Sequence, residues 1–300
     1  MNRAQKIALV AAVLVALSGM FSCAVALSLA GIMGLAPGEA VAVVRVEGVI
    51  SSSADALAAF ASGTTDEQVK QGLRRAEEDP AVKSILLYIN SPGGSVVASD
   101  EIYRAVRAAR KPVVAFLGET AASGGYYVAC GADWIVAHPG SLTGSIGVIV
   151  ELIDAHVLLQ KLGVTVEVVK SGPAKDMGSF ARPLTPEERS YLEAVVEDAF
   201  SEFVPVVAAG RGMPEEQVRL LADGRVMSGA QAVRLGLADE EGSLEDAVAR
   251  AARMGGIAGQ PRVVDKTARP AFWELLTQLS RGLQPLSGAR WARLEYRACF

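Results

Sequence analysis

Two glycine-rich turns bring hydroxyl and backbone N–H groups to places where they could meet a carbonyl. Ser91-Pro92-Gly93-Gly94-Ser95 and Ala121-Ala122-Ser123-Gly124-Gly125 each follow an apolar, strand-like run. Glycine permits positive φ and lets a ligand approach the backbone closely. Ser123, with small neighbours on both sides at a strand-to-helix junction, can expose its hydroxyl beside the unpartnered N–H groups of a helix start. That is the logic of a nucleophile elbow, although the same residues also read as a plain N-cap. A serine nucleophile needs a base. The two histidines, His138 and His156, have no carboxylate partner set by spacing. The other base open to serine is a lysine kept neutral by burial. Lys175, in Ser171-Gly172-Pro173-Ala174-Lys175-Asp176, is the candidate, and Lys170 is its local competitor. A third stretch, Ser141-Leu142-Thr143-Gly144-Ser145-Ile146-Gly147-Val148, either makes a tight turn or supplies hydroxyls that hold a lysine ammonium.

The elements around these residues decide where they stand. Val41–Ile50, which is rich in valine, and the apolar runs Val82–Ile89, Pro112–Leu117 and Trp134–Ala137 read as strands. Asp66–Glu78 and Val97–Ala109 read as helices between them, Gly118–Ser123 as a turn, Ile153–Leu162 as a helix and Val164–Val169 as a further strand. The alternation predicts an α/β fold with largely parallel pairing. After Gly172 the pattern is helical. Thr185-Pro186-Glu187-Glu188 is a capping box with proline at the first helical position. It predicts a helix to about Ala209 with Gly210 as its stop, followed by helices over Pro214–Leu221, Gly229–Leu235 and Leu244–Met254. In the tail, Phe272, Leu275, Leu276, Leu279 and Leu283 fall on one helical face, as in a membrane-surface helix or a helix packed on a partner.

Composition narrows the classes. A net charge of -4 argues against a nucleic-acid binder, which needs a basic face. With 51% apolar and 21% charged residues the chain is not disordered. Three widely separated cysteines exclude a disulfide scaffold, and the lack of a Cys-x-x-Cys pair argues against zinc. No charge occurs from Ile7 to Leu35, a stretch longer than the roughly 20 residues that span a bilayer. It exceeds the apolar core of about 7–15 residues of a cleaved signal peptide. Arg3 and Lys6 precede it, so the expectation is a single-pass protein of the cell membrane with a cytoplasmic N-terminus and an extracytoplasmic catalytic domain.

Four motifs stand in order between about Val41 and Ala252: Ile89-Asn90-Ser91-Pro92-Gly93-Gly94, Ala122-Ser123-Gly124-Gly125-Tyr126-Tyr127, Thr143-Gly144-Ser145-Ile146-Gly147-Val148 and Ser171-Gly172-x-x-Lys175-Asp176. Together they resemble the signal peptide peptidase family (type A, short form) of serine–lysine proteases. The resemblance implies that Ser123 is the nucleophile and Lys175 the general base. It implies that Ser145 positions the lysine and that backbone N–H groups of Gly94 and Gly124 form the oxyanion hole. A similar separation of Pro-Gly-Gly turn and serine in the proteolytic subunit of Clp protease selects Gly94 over Gly93. The implied fold is a Clp/crotonase-type spiral of ββα units behind a transmembrane helix. Residues 1–36 would be the anchor, 37–255 the protease domain and 256–300 a tail. The implied activity is that of a membrane-anchored endopeptidase, free of metal and cofactor. It would degrade remnant signal peptides and other apolar, extended peptides against the bilayer, as a homo-oligomeric ring, an octamer in the family. In short-form relatives serine and lysine come from neighbouring subunits. The rival readings are a membrane-bound serine–lysine protease for one specific membrane protein, an acyl-thioester enzyme of the same fold, and a non-catalytic scaffold.

Overall fold

The computed structural model describes residues 38–52 and 63–268, with the backbone of Glu295–Arg297. The span predicted over Ile7–Leu35 and the helical face predicted over Phe272–Leu283 lie outside the described residues. Among the described residues, no helix is long and apolar enough to cross a membrane.

The first half alternates strands and helices. Strand β1 (Ala40–Glu47) is followed by the short β2 (Val49–Ser51) and β3 (Gly63–Thr65), then by helix α1 (Asp66–Glu78). Thr65 and Gln68 close a capping box at the start of α1, and Val69, Leu73 and Ala76 form its buried stripe. The order recurs in β4 (Val82–Ser91), the short β5 (Gly93–Ser95) and α2 (Val96–Arg107). Next come β6 (Val113–Ala122), α3 (Gly124–Ala129), β7 (Trp134–Ala137) and β8 (Leu142–Gly144). A long segment then carries α4 (His156–Lys161) and a 3-10 turn at Pro173–Asp176. The remainder is α5 (Pro186–Arg211), α6 (Glu215–Leu221), β9 (Val226–Ser228), α7 (Gly229–Arg234), β10 (Glu240–Glu241), α8 (Leu244–Met254), β11 (Arg262–Asp265) and β12 (Glu295–Arg297).

The main sheet runs β10-β7-β6-β4-β1-β11, and every pair along it is parallel. Both faces are covered, which is why its strands read as unbroken apolar runs. Along β1, Ala40, Ala42, Val44 and Val46 face a core shared with α1, α2, α3 and α5. Val41 and Val43 face the other way, onto Ala247, Ala251 and Ala252 of α8. Each fully buried Ile or Leu of β4 contributes about 1.5–3 kcal/mol of burial free energy. A smaller sheet, β12-β5-β2-β3, collects the short strands that follow β1 and β4. Strand β8 pairs with the last residues of β6 and, antiparallel, with β9.

Four expectations change. The turn expected over Gly118–Ser123 is the end of β6, which continues to Ala122. Val164–Val169 forms no strand: Val164, Val166 and Val168 are about half exposed and Val169 is 96% exposed. Alternation alone gives a strand only where a neighbour strand accepts its ladder. The stretch after Gly256 contributes β11 to the edge of the main sheet, parallel to β1. Helix α5 runs through Gly210 to Arg211 and ends at Gly212, which takes the left-handed conformation at φ 61°. Gly210 serves packing instead: a Cβ there would lie 2.4 Å from the carbonyl oxygen of Cys130.

This contact reverses a familiar sign. In an open helix interior glycine-to-alanine gains about 1 kcal/mol. Gly210→Ala should instead destabilise by about 1–3 kcal/mol through overpacking against Cys130. A urea midpoint below that of the parent protein is the expected reading.

Candidate active site

Strand β6 ends at Ala122 and α3 begins at Gly124, which leaves a single residue to make the corner. That residue, Ser123, sits at φ 55°, ψ -119°. Among the described residues, Ser123 and Ser145, at φ 49°, are the only non-glycine residues with positive φ. Each such position costs on the order of 1–3 kcal/mol and persists only where the surroundings enforce it. Here they do. Ser123 N–H donates to the carbonyl of Gly144 at 2.8 Å, and Tyr127 N–H donates to the Ser123 carbonyl at 2.8 Å. Thr143 Oγ1 donates to the Ala121 carbonyl at 2.6 Å, and Ser145 N–H donates to the Arg225 carbonyl at 2.8 Å. Gly125 lets α3 close onto β4, since a Cβ there would stand 2.8 Å from the Ser91 oxygen. Ser123 is fully buried, and its Oγ has no hydrogen-bond partner.

The predicted oxyanion donors fall beside this corner. Gly124 opens α3, where first-turn N–H groups lack partners within the helix. Gly94 lies in β5, against which α3 packs. Its φ of 156° and the 2.0 Å from a hypothetical Cβ to the Ile50 oxygen exclude any side chain. Gly93 N–H donates to Ser91 Oγ at 3.1 Å. Strand β12 pairs antiparallel with β5, setting Tyr296 opposite Gly94. Nothing in the sequence pattern signalled that pairing.

The other candidates stand elsewhere. Lys175 lies in the 3-10 turn, and the unpartnered Ser123 Oγ means that a single chain does not bond the two. Around the turn, Arg182 and then Lys170 hold the Asp176 carboxyl well below the usual carboxylate range, and Arg182 holds Glu188 down to about 2. His156 Nδ1 is 2.6 Å from Asp154 at the surface, and His138 Nδ1 accepts from Gly140 N–H at 3.2 Å. Neither histidine serves Ser123. Burial pushes the Cys130 thiol up to about 12, which leaves no thiolate nucleophile. Beside Ser145 an open cavity of about 660 Å³ is walled by Ile146, Val148, Phe200, Asp223 and Val226. Its walls join the Ser145 motif to α5 and to the residues around the start of β9.

The buried, unpaired hydroxyl has a measurable consequence. Ser123→Ala should abolish peptide hydrolysis while raising the melting temperature, because a buried unsatisfied polar group costs about 1–3 kcal/mol. Paired activity assays and thermal melts check this. A melting temperature below that of the parent would mean that the hydroxyl contributes to the fold.

Comparisons with known proteins bear on the family of the chain. The profile of peptidase family S49 matches residues 105–257, half of the chain, and that of Clp protease matches residues 56–139. A protein of Synechocystis sp. that carries the name of a protease is 46% identical over 201 residues, which are 66% of this chain and 72% of that protein. A protein of Methanocaldococcus jannaschii that also carries the name of a protease is 40% identical over 191 residues, 63% of this chain and 61% of that protein. The chloroplastic serine protease SPPA of Arabidopsis thaliana is 36% identical over 229 residues, 75% of this chain and 34% of that protein. With Ser123 at its strained corner inside the matched region, the chain belongs to peptidase family S49 and is a serine peptidase.

Proposed function

We propose that this protein is a membrane-anchored endopeptidase that cleaves remnant signal peptides and other extended apolar peptides with Ser123 as nucleophile and Lys175 as base. The observation that carries the reading is the Ser123 corner: a strained backbone that holds an unpaired hydroxyl at a helix start. Neutral Lys175 takes the Ser123 proton as Oγ attacks the scissile carbonyl. The negative oxygen rests on the N–H groups of Gly94 and Gly124, and loss of one such donor costs on the order of 3 kcal/mol. The lysine then returns its proton to the leaving amine, and water hydrolyses the acyl-enzyme. Ser145, held at a positive φ, orients the lysine.

The substrate class follows from β5. Its edge away from β2 takes Glu295–Arg297 in antiparallel fashion, and an extended peptide in place of that strand would use the same backbone ladder. The uncharged stretch Ile7–Leu35 supports the anchor, and Arg3 and Lys6 support a cytoplasmic N-terminus. An anchor keeps the site near the bilayer, where such peptides remain.

A base absent from Ser123 within one chain points to a second copy. Ile153, Leu162 and Phe180, on the segment that carries Lys175, are 74%, 67% and 55% exposed. The cavity beside Ser145 is open. In a homo-oligomeric ring, the lysine turn of one subunit reaches the serine of the next, and the contact desolvates the lysine.

Two outcomes test these points. Ser123→Ala and Lys175→Ala chains, each inactive, should regain activity when reassembled together. Mixed assemblies without activity would place the dyad within one chain. Protease added to intact spheroplasts should digest the catalytic domain, whereas full protection would reverse the topology.

A further inference from the structure

The turn that carries Lys175 has weak local support. Its backbone bonds are short-range, Lys175 N–H to the Gly172 carbonyl at 3.2 Å and Met177 N–H to the Ala174 carbonyl at 3.1 Å. No residue of the turn is buried. A base must nevertheless be held to a fraction of an ångström, since a misplacement of about 1 Å costs on the order of 10²-fold in rate.

The fastening comes from one guanidinium. Arg182 grips Asp176 with two bonds, Nε to Oδ2 at 3.0 Å and Nη2 to Oδ1 at 2.7 Å. It grips Glu188 with two more, Nη1 to Oε2 at 2.8 Å and Nη2 to Oε1 at 2.6 Å. A fifth bond runs from Nη1 to the Pro183 carbonyl at 3.1 Å. Lys170 adds Nζ to Asp176 Oδ1 at 2.6 Å and to the Pro173 carbonyl at 2.9 Å. Glu188 is itself fixed. Its Oε2 accepts from Thr185 N–H at 3.0 Å, and its own N–H donates to Thr185 Oγ1 at 3.2 Å, which closes the capping box of α5. Further along, α5 is anchored in the core by Phe203, Val204 and Val207. A continuous path therefore joins the core to the residue next to Lys175.

We propose that Arg182 is a positioning residue for the reaction, a bracket that ties the Lys175 turn to the start of α5 through Asp176 and Glu188. The proposal rests on the reading of Lys175 as base. Two carboxylates and two cations balance in the cluster, and its carboxylates stay ionised far below neutral pH. The bracket is therefore intact wherever a lysine base can work. A planar guanidinium suits this double grip, and a lysine in its place would satisfy one carboxylate at a time.

The test uses the full-length chain with Arg182→Met, Arg182→Lys, Glu188→Gln and Lys175→Met variants. Glu188→Gln keeps a capping-box side chain while removing the charge that Arg182 holds, so it decides the matter if Arg182→Met does not fold. Expected for Arg182→Met is a 10- to 100-fold fall in kcat with KM within about twofold, and partial recovery in Arg182→Lys. Expected for Glu188→Gln is a fall in kcat in the same direction. Arg182→Met combined with Lys175→Met should be no worse than Lys175→Met alone, because the two act as a unit. Parental kcat in folded Arg182→Met or Glu188→Gln, or a loss confined to KM, overturns the bracket. If Lys175→Met keeps its activity, the base assignment fails instead, and the two failures are thereby distinguished.

Discussion

One residue separates the end of β6 from the start of α3, and that residue is not glycine. The chain must reverse there from extended to helical, and the single corner residue adopts φ 55°. Strain of this kind persists only inside a frame that is stable without it. The frame is the centre of a parallel sheet, buried on both faces, with β6 between β4 and β7. The pairing of Ala122 with Gly144 brings β8 alongside, and the Gly144 carbonyl receives the Ser123 N–H. Gly125 then follows as a steric requirement of the same corner and Gly94 as one of the β2–β5 pairing, each facing a backbone oxygen that leaves no room for a side chain.

The proposed nucleophile and the proposed base lie in contrasting settings. Ser123 is fixed by backbone bonds to Gly144 of β8 and Tyr127 of α3, and its position is a property of the core. Lys175 rides on a thin segment between α4 and α5 whose apolar side chains are largely exposed. Nothing in that segment resembles a second core. Its order comes from charge: the Arg182 cluster joins it to α5, and helix α5 is in turn held by its buried face. Rigid placement of Ser123 with electrostatic placement of the Lys175 turn would let the two halves of the proposed site come from different surfaces.

The small sheet is placed by the large one. Strands β2 and β5 follow β1 and β4 directly, so the geometry of the large sheet dictates where the β5 edge lies. That Glu295–Arg297 pairs along it shows an edge able to receive backbone.

Local chemistry made much of this legible from the sequence. Apolar runs too continuous for one-sided strands marked a sheet covered on both faces. Thr185 and Glu188 marked the start of α5, since a capping box is closed by residues three apart. Small residues around Ser123 marked a corner, because few other side chains fit one. Features set by distant residues were not legible. Val164–Val169 alternates like a strand yet finds no partner strand, and Gly210 resembles a helix stop yet serves contact with Cys130. The grip of Arg182 on two carboxylates and the pairing of β12 with β5 also depend on which surfaces the fold brings together. Periodicity and capping act over a few residues, so the sequence alone determined the elements and the identity of the chemical groups. Pairing and close approach arise from packing between remote segments, and only the tertiary structure decided them.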